Sequence, residues 1–194
     1  MKPVKVVSII VIIIILLPCW GGDAPVEGRW FAGLYGGQGT DGSEKEVFIF
    51  KADYMDSYIA AVILGKELLT WNNYLRFEVE GQVVRHFGTQ DHFEFNALFV
   101  ARWLPFPWDS SLDTSFAIGD GLSYATRDSE IEVLEHEGTS KILNYLMFER
   151  ALSVPRYPDW STFARFHHRC GIFGLINRMF GGSNFIGGGV KYTF

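Results

Sequence analysis

The sequence predicts an all-β protein, an eight-stranded antiparallel transmembrane β-barrel, and three observations predict it. Polar and apolar residues alternate at period two over segments of about ten residues, the pattern of strands with two unlike faces. The chain is 48% hydrophobic and only 20% charged, yet past its first residues no apolar run reaches the roughly 20 residues of a spanning helix. The connections between alternating segments then switch between compact turns and long stretches, as they do in outer-membrane barrels. The 194 residues fit one domain. The apolar content excludes a disordered chain, and a net charge of −5 speaks against a nucleic-acid partner. Two cysteines supply neither a disulfide framework nor a zinc cluster.

Residues 1–24 read as a secretory signal peptide. Lys2 and Lys5 precede an apolar run from Val6 to Leu17 broken only by Ser8, and Pro18, Gly21, Gly22 and Ala24 supply the exit. Cleavage is expected between Gly21 and Ala24, leaving residues 25–194 as the barrel. Lipidation through Cys19 fits poorly, because Pro18 stands where a small residue is needed. Removal of this segment makes Cys170 the sole thiol.

The clearest strands follow. Leu75, Phe77, Val79, Gly81 and Val83 alternate with Arg76, Glu78, Glu80, Gln82, Val84 and His86. Phe93, Phe95, Ala97, Phe99, Ala101 and Trp103 oppose Glu94, Asn96, Leu98, Val100 and Arg102. At the C-terminus Ile186, Gly188, Val190, Tyr192 and Phe194 alternate with smaller or polar residues. Weaker strands are expected at 112–124, 141–153 and 160–170, and the poorest alternation is at 30–37 and 57–65. Val47–Phe50 either lengthens the second strand or belongs to the first loop. Trp71-Asn72-Asn73, Leu104–Trp108 and Pro155–Pro158 form compact connections, whereas 38–56, 125–140 and 171–183 are long. Trp30, Trp71, Trp103, Trp108 and Trp160 all fall at the end assigned to the short turns, where an aromatic girdle belongs. A lipocalin-like secreted barrel would share the alternation without that clustering. The terminal Phe194 resembles the C-terminal signature of bacterial outer-membrane proteins, which implies the barrel-assembly machinery as a partner during biogenesis and the bacterial outer membrane as location.

The strand at 160–170 separates two polar sets. Arg165, His167 and Arg169 share the lumen face, where Glu78, Glu80, Glu94 and Glu149 are available to Arg76, Arg102 and Arg165. His168 and Cys170 take the opposite, lipid-facing phase. The same phase places Asn144 and Asp120 outward on the two preceding strands, unless a bulge at Gly119 or Gly121 turns Asp120 in. A polar residue on a lipid face costs free energy, so this row is either a rim among lipopolysaccharide headgroups or a site. Adjacent His167 and His168 point to opposite faces, so no metal ligands are assigned, and no cofactor is implied.

The His168-x-Cys170 pair on the outer end of a late strand resembles the His-x-Ser of outer-membrane lipid A 3-O-deacylases, with cysteine in place of the nucleophilic serine. That resemblance implies an eight-stranded barrel with a hydrolase site facing the outer leaflet, His168 as general base and Cys170 as nucleophile. The family's acidic partner has no counterpart, since no Asp or Glu follows Asp159; Asp120 and Asn144 are the substitutes. Ser183 and Asn184, in the stretch Gly181–Asn184, are candidate oxyanion or substrate-binding donors, or part of an ordinary turn. The expected activity is ester hydrolysis on lipid A or another outer-leaflet lipid. The rival is a non-catalytic barrel that acts structurally or binds through its loops. A solute pore fits less well, because an eight-stranded interior is filled by side chains.

Overall fold

A computed structural model describes residues 28–41, 46, 51–129, 140–172, 176 and 182–194. The segment expected to be a signal peptide, the Val47–Phe50 run and most of the stretches 125–140 and 171–183 lie outside the described residues. Eight strands close into a barrel: β1 (Trp30–Thr40), β2 (Tyr54–Trp71), β3 (Leu75–Gly88), β4 (Phe93–Trp103), β5 (Asp113–Ala125), β6 (Ile142–Ser153), β7 (Trp160–Cys170) and β8 (Gly182–Thr193). Each strand pairs antiparallel with the next, and β1 pairs with β8. The backbone groups of Trp30 and Phe194 bond reciprocally, at 3.0 and 2.7 Å, to finish that seam.

Alternation sorts the side chains into two environments. Leu64, Val83, Phe99, Leu122 and Val190 point outward and are exposed, while Ile63, Val84, Leu98, Tyr145 and Phe163 are buried inside. An exterior this apolar is what a barrel presents to lipid, and closure leaves no unpaired strand edge. Trp30, Trp71, Trp103, Trp108 and Trp160 gather at one end, the turn end, and all are exposed. Its tightest connection is residues 72–74, whose turn Trp71–Tyr74 is centred on Asn72-Asn73. Both residues take positive φ (50° and 57°), as this turn requires and as asparagine tolerates, and Tyr74 N donates to Trp71 O at 3.0 Å. The opposite, loop end carries the connections at 41–53, 89–92, 126–141 and 171–181.

Three strands exceed their expected limits by three residues or more. β1 ends at Thr40 rather than at 37. β2 runs from residue 54 to 71 rather than 57–65, because a register shift between Glu67 and Leu69 inverts the alternation that would have marked its continuation. β8 begins at Gly182 rather than near 186, so Ser183 and Asn184 belong to a paired strand and not to a turn. The ladder on both sides of β5 runs unbroken through Gly119, Asp120 and Gly121, so no bulge turns Asp120 inward.

Candidate active site

The lumen is filled first by hydrophobic side chains and then by a neutralised ion network. Arg165 lies between two carboxylates. Its guanidinium is bidentate on Glu80, at 2.7 and 3.1 Å, and also donates to Glu149, with Nε at 3.0 Å. Arg102 is bidentate on Glu78, at 2.7 and 3.1 Å, and reaches Glu149 at 2.8 Å, while Lys191 donates to Glu149 at 3.0 Å. Three cations thus face three carboxylates, all buried. Such pairing offsets the large cost of removing each charge from water. Arg76 departs from the expected partners and bonds Glu67 at 2.6 Å, nearer the turn end. The faces of Tyr35 and Phe163 cover the Arg165 guanidinium, each ring centre 5.1 Å away.

Toward the loop end the lumen changes character. Arg169 donates to Ser123 Oγ at 3.0 Å and to the carbonyls of Ser140 and Lys141 at 2.7 and 2.9 Å. Glu94 lies among imidazoles instead of guanidinia: His86 Nε2 at 2.9 Å and His167 Nε2 at 3.1 Å. Sequence analysis left the grouping of His86, His92 and Glu94 unnoticed. The signal was available, since His86 and His92 flank the turn Phe87–Asp91 and Glu94 follows two residues later on the face of His92.

The outward polar row lies across the same wall. Directly paired residues share a face, so Asp120, Leu146, His168 and Asn184 form one row, and Leu122, Asn144, Cys170 and Gly182 form the next toward the loop end. Asn144 is therefore directly opposite Cys170, and Asn184 directly opposite His168. Asn144 Nδ2 donates to Asp120 Oδ1 at 2.9 Å, linking β5 to β6. His168 Nδ1 lies 2.6 Å from Asn184 Oδ1, linking β7 to β8. A carbonyl oxygen only accepts, so the proton of the neutral ring sits on Nδ1 and Nε2 is its basic nitrogen. Phe166 stacks nearly parallel to the His168 ring, 8° between planes and 5.8 Å between centres. Although outward in phase, His168, Asn144 and Asn184 are buried at 4%, 7% and 6% exposure, while Cys170 is half-buried.

Five of the six candidate residues, Asp120, Asn144, His168, Cys170 and Asn184, thus share one patch of outer wall. Ser183 does not. It pairs with Arg169 on the lumen face and is buried there, so the wall separates it from Cys170. Asn184 differs in another way: its oxygen is engaged with the imidazole of His168, the position an orienting residue takes, rather than that of an oxyanion donor.

The chain superposes on the outer membrane enzyme PagL with a TM-score of 0.57 at 11% identity, covering 83% of this chain and 98% of that one. It superposes on neisserial surface protein A, NspA, with a TM-score of 0.54 at 13% identity, covering 89% of this chain and 100% of the other. The likeness is one of fold. No family model matches the sequence, and no curated protein matches it.

Proposed function

We propose that this chain is a bacterial outer-membrane barrel whose outer wall carries a thiol-dependent acyl hydrolase, with Cys170, His168 and Asn184 as its working residues and an acylated outer-leaflet lipid as its substrate. The reading is supported above all by one contact, Asn184 Oδ1 at 2.6 Å from His168 Nδ1, with Cys170 two residues along on the same face. A cysteine, a histidine and an orienting asparagine make a known working set on unrelated folds.

In this scheme His168 Nε2 takes the proton of Cys170, and the thiolate attacks the ester carbonyl of a lipid acyl chain. The tetrahedral adduct collapses with release of the sugar or glycerol oxygen, which receives the proton from His168. The resulting thioester is then hydrolysed by water, with the same imidazole as base, freeing the fatty acid and the thiol. Asn184 holds the ring with Nδ1 protonated throughout. Asn144 is across from Cys170, its orientation fixed by Asp120, and its amide is the nearest side-chain donor by register for the developing oxyanion.

The test is mass spectrometry of lipopolysaccharide incubated with the purified barrel. Wild type removes one acyl chain. His168→Ala slows removal about 10²–10⁴-fold, the contribution of a general base; Cys170→Ala abolishes it, and Asn184→Ala lowers kcat with little change in KM. Lipid spectra unchanged by wild-type protein, across lipopolysaccharide and phospholipid, overturn the proposal. A second reading rests on the burial of His168, Asn144 and Asn184. If these side chains serve only to staple β5–β8 together, the chain is a non-catalytic barrel that binds through its loops, and the same unchanged spectra are its expected result.

A further inference from the structure

The loop end of the lumen holds three buried potential ligands that the proposed hydrolase does not use. His86 ends the inward row of β3, His92 stands opposite it beyond the turn, with His86 N bonded to His92 O at 2.9 Å, and Glu94 is the next inward residue of β4. The two imidazoles stack with 4.2 Å between centres and 13° between planes, so one ring must turn about its Cβ–Cγ bond for both lone pairs to meet on one ion. One ligating atom from each of the three residues lies within 4.8 Å of the others, and all three residues are at most 4% exposed.

We propose that His86, His92 and Glu94 bind a divalent transition metal of borderline softness, of the zinc class, inside the barrel. Two imidazoles and a carboxylate are a donor set zinc favours, with a further position left for water. His86 Nε2 and Glu94 Oε2 are 2.9 Å apart, close to the spacing of about 3 Å between two ligand atoms on one such ion.

Two further observations point to a cation here. Glu78, Glu80 and Glu149 each face an arginine or lysine, whereas the described partners of Glu94 are the imidazoles of His86 and His167. A neutral imidazole leaves a buried carboxylate uncompensated, and a metal ion supplies the missing charge. In addition, Glu94 Oε1 and His167 Nε2 approach to 3.1 Å, yet neither atom makes a hydrogen bond among the described residues.

The surroundings resemble the outer shell that fixes metal ligands. Gln90 Nε2 lies 3.4 Å from His86 Nδ1, and Ser129 Oγ donates to Gln90 Oε1 at 2.7 Å. His167 backs the Glu94 carboxylate and is itself held by Tyr35 Oη, 2.8 Å from its Nδ1. This inference is independent of the outer-wall hydrolase, since the two sites are on opposite faces of the wall.

The experiment uses the full barrel refolded in detergent, stripped with EDTA and titrated with Zn²⁺ by calorimetry or with Co²⁺ by visible absorption. The expected result is saturable one-to-one binding, with d–d bands of low-coordinate cobalt and a raised melting temperature. Binding weakens about 10–100-fold in His167→Ala, the usual cost of losing an outer-shell partner, and by more in His86→Ala and His92→Ala. Cys170→Ser leaves it unchanged. Wild type that binds no metal, or that binds it equally after His86→Ala and His92→Ala, overturns the proposal. Should either variant fail to fold, X-ray absorption of the zinc-loaded wild-type barrel decides: a metal shell with two imidazole nitrogens is expected, and a shell without them rejects the site.

Discussion

Two polar clusters lie on opposite faces of the barrel wall, one in the lumen and one on the exterior of β5–β8, and they keep their polar groups in opposite ways. Inside, Arg102, Arg165 and Lys191 face Glu78, Glu80 and Glu149, so every charge is answered by its opposite. Outside, the contacts include a histidine on an asparagine and an asparagine on one carboxylate. The inner set is strong, balanced and has no group to spare, which is the signature of structure. The outer set has little charge and sits in an apolar belt, where each polar side chain costs free energy unless a hydrogen-bond partner offsets it. Position alone makes the difference, since the same alternation of β7 sends Arg165 and His167 one way and His168 the other.

One side chain type placed at three addresses sharpens that contrast. Arg165→Ala leaves Glu80 and Glu149 short of a partner in the lumen, and is expected to destabilise the barrel by about 3–5 kcal/mol in urea unfolding from lipid vesicles. Loss of less than ~1 kcal/mol would mean that water reaches the network. Val62→Arg puts a guanidinium on the exposed wall between Leu34 and Val83, its apolar partners on the two neighbouring strands, and is expected to cost about 2–4 kcal/mol if that residue lies near mid-bilayer. A neutral outcome would place Val62 at the interface instead. The smallest effect is expected at the turn end, where Arg29 bonds Asp159 at 2.5 Å with both side chains over two-fifths exposed. The hydrogen bond to Asp159 raises the Arg29 pKa, but water already solvates the pair. Arg29→Ala should therefore shift stability by only about 0–1 kcal/mol, measured the same way with and without added salt.

How much of this was legible in the sequence follows from how local each signal is. β4 and β7 could be bounded to the residue, because Phe93–Trp103 and Trp160–Cys170 alternate between clear turn residues. The inward set Arg165, His167 and Arg169 needed only parity. Pairings such as Glu80 with Arg165 could not be read, because they join side chains 85 positions apart across a lumen whose width and stagger depend on closure. The His168–Asn184 contact was hidden for a related reason. Glycine and serine beside Asn184 look like a turn, and only the β7–β8 register shows that Asn184 faces the imidazole. The last third of β2 was lost at Lys66-Glu67-Leu68, where a register shift broke the period on which the reading depended.

The seam between β1 and β8 has a kinetic consequence. Seven of the eight neighbour pairs are joined by nearby chain and can zip as successive hairpins. The eighth must bring Trp30 to Phe194, and the loop-closure entropy of that step is recovered only when the whole ladder forms. Until then the sheet is an open ribbon with two bare edges, each able to template a neighbouring molecule. Ring closure is therefore expected to be the slow step of folding, and the interval before it the one in which the chain most needs shelter from its own kind.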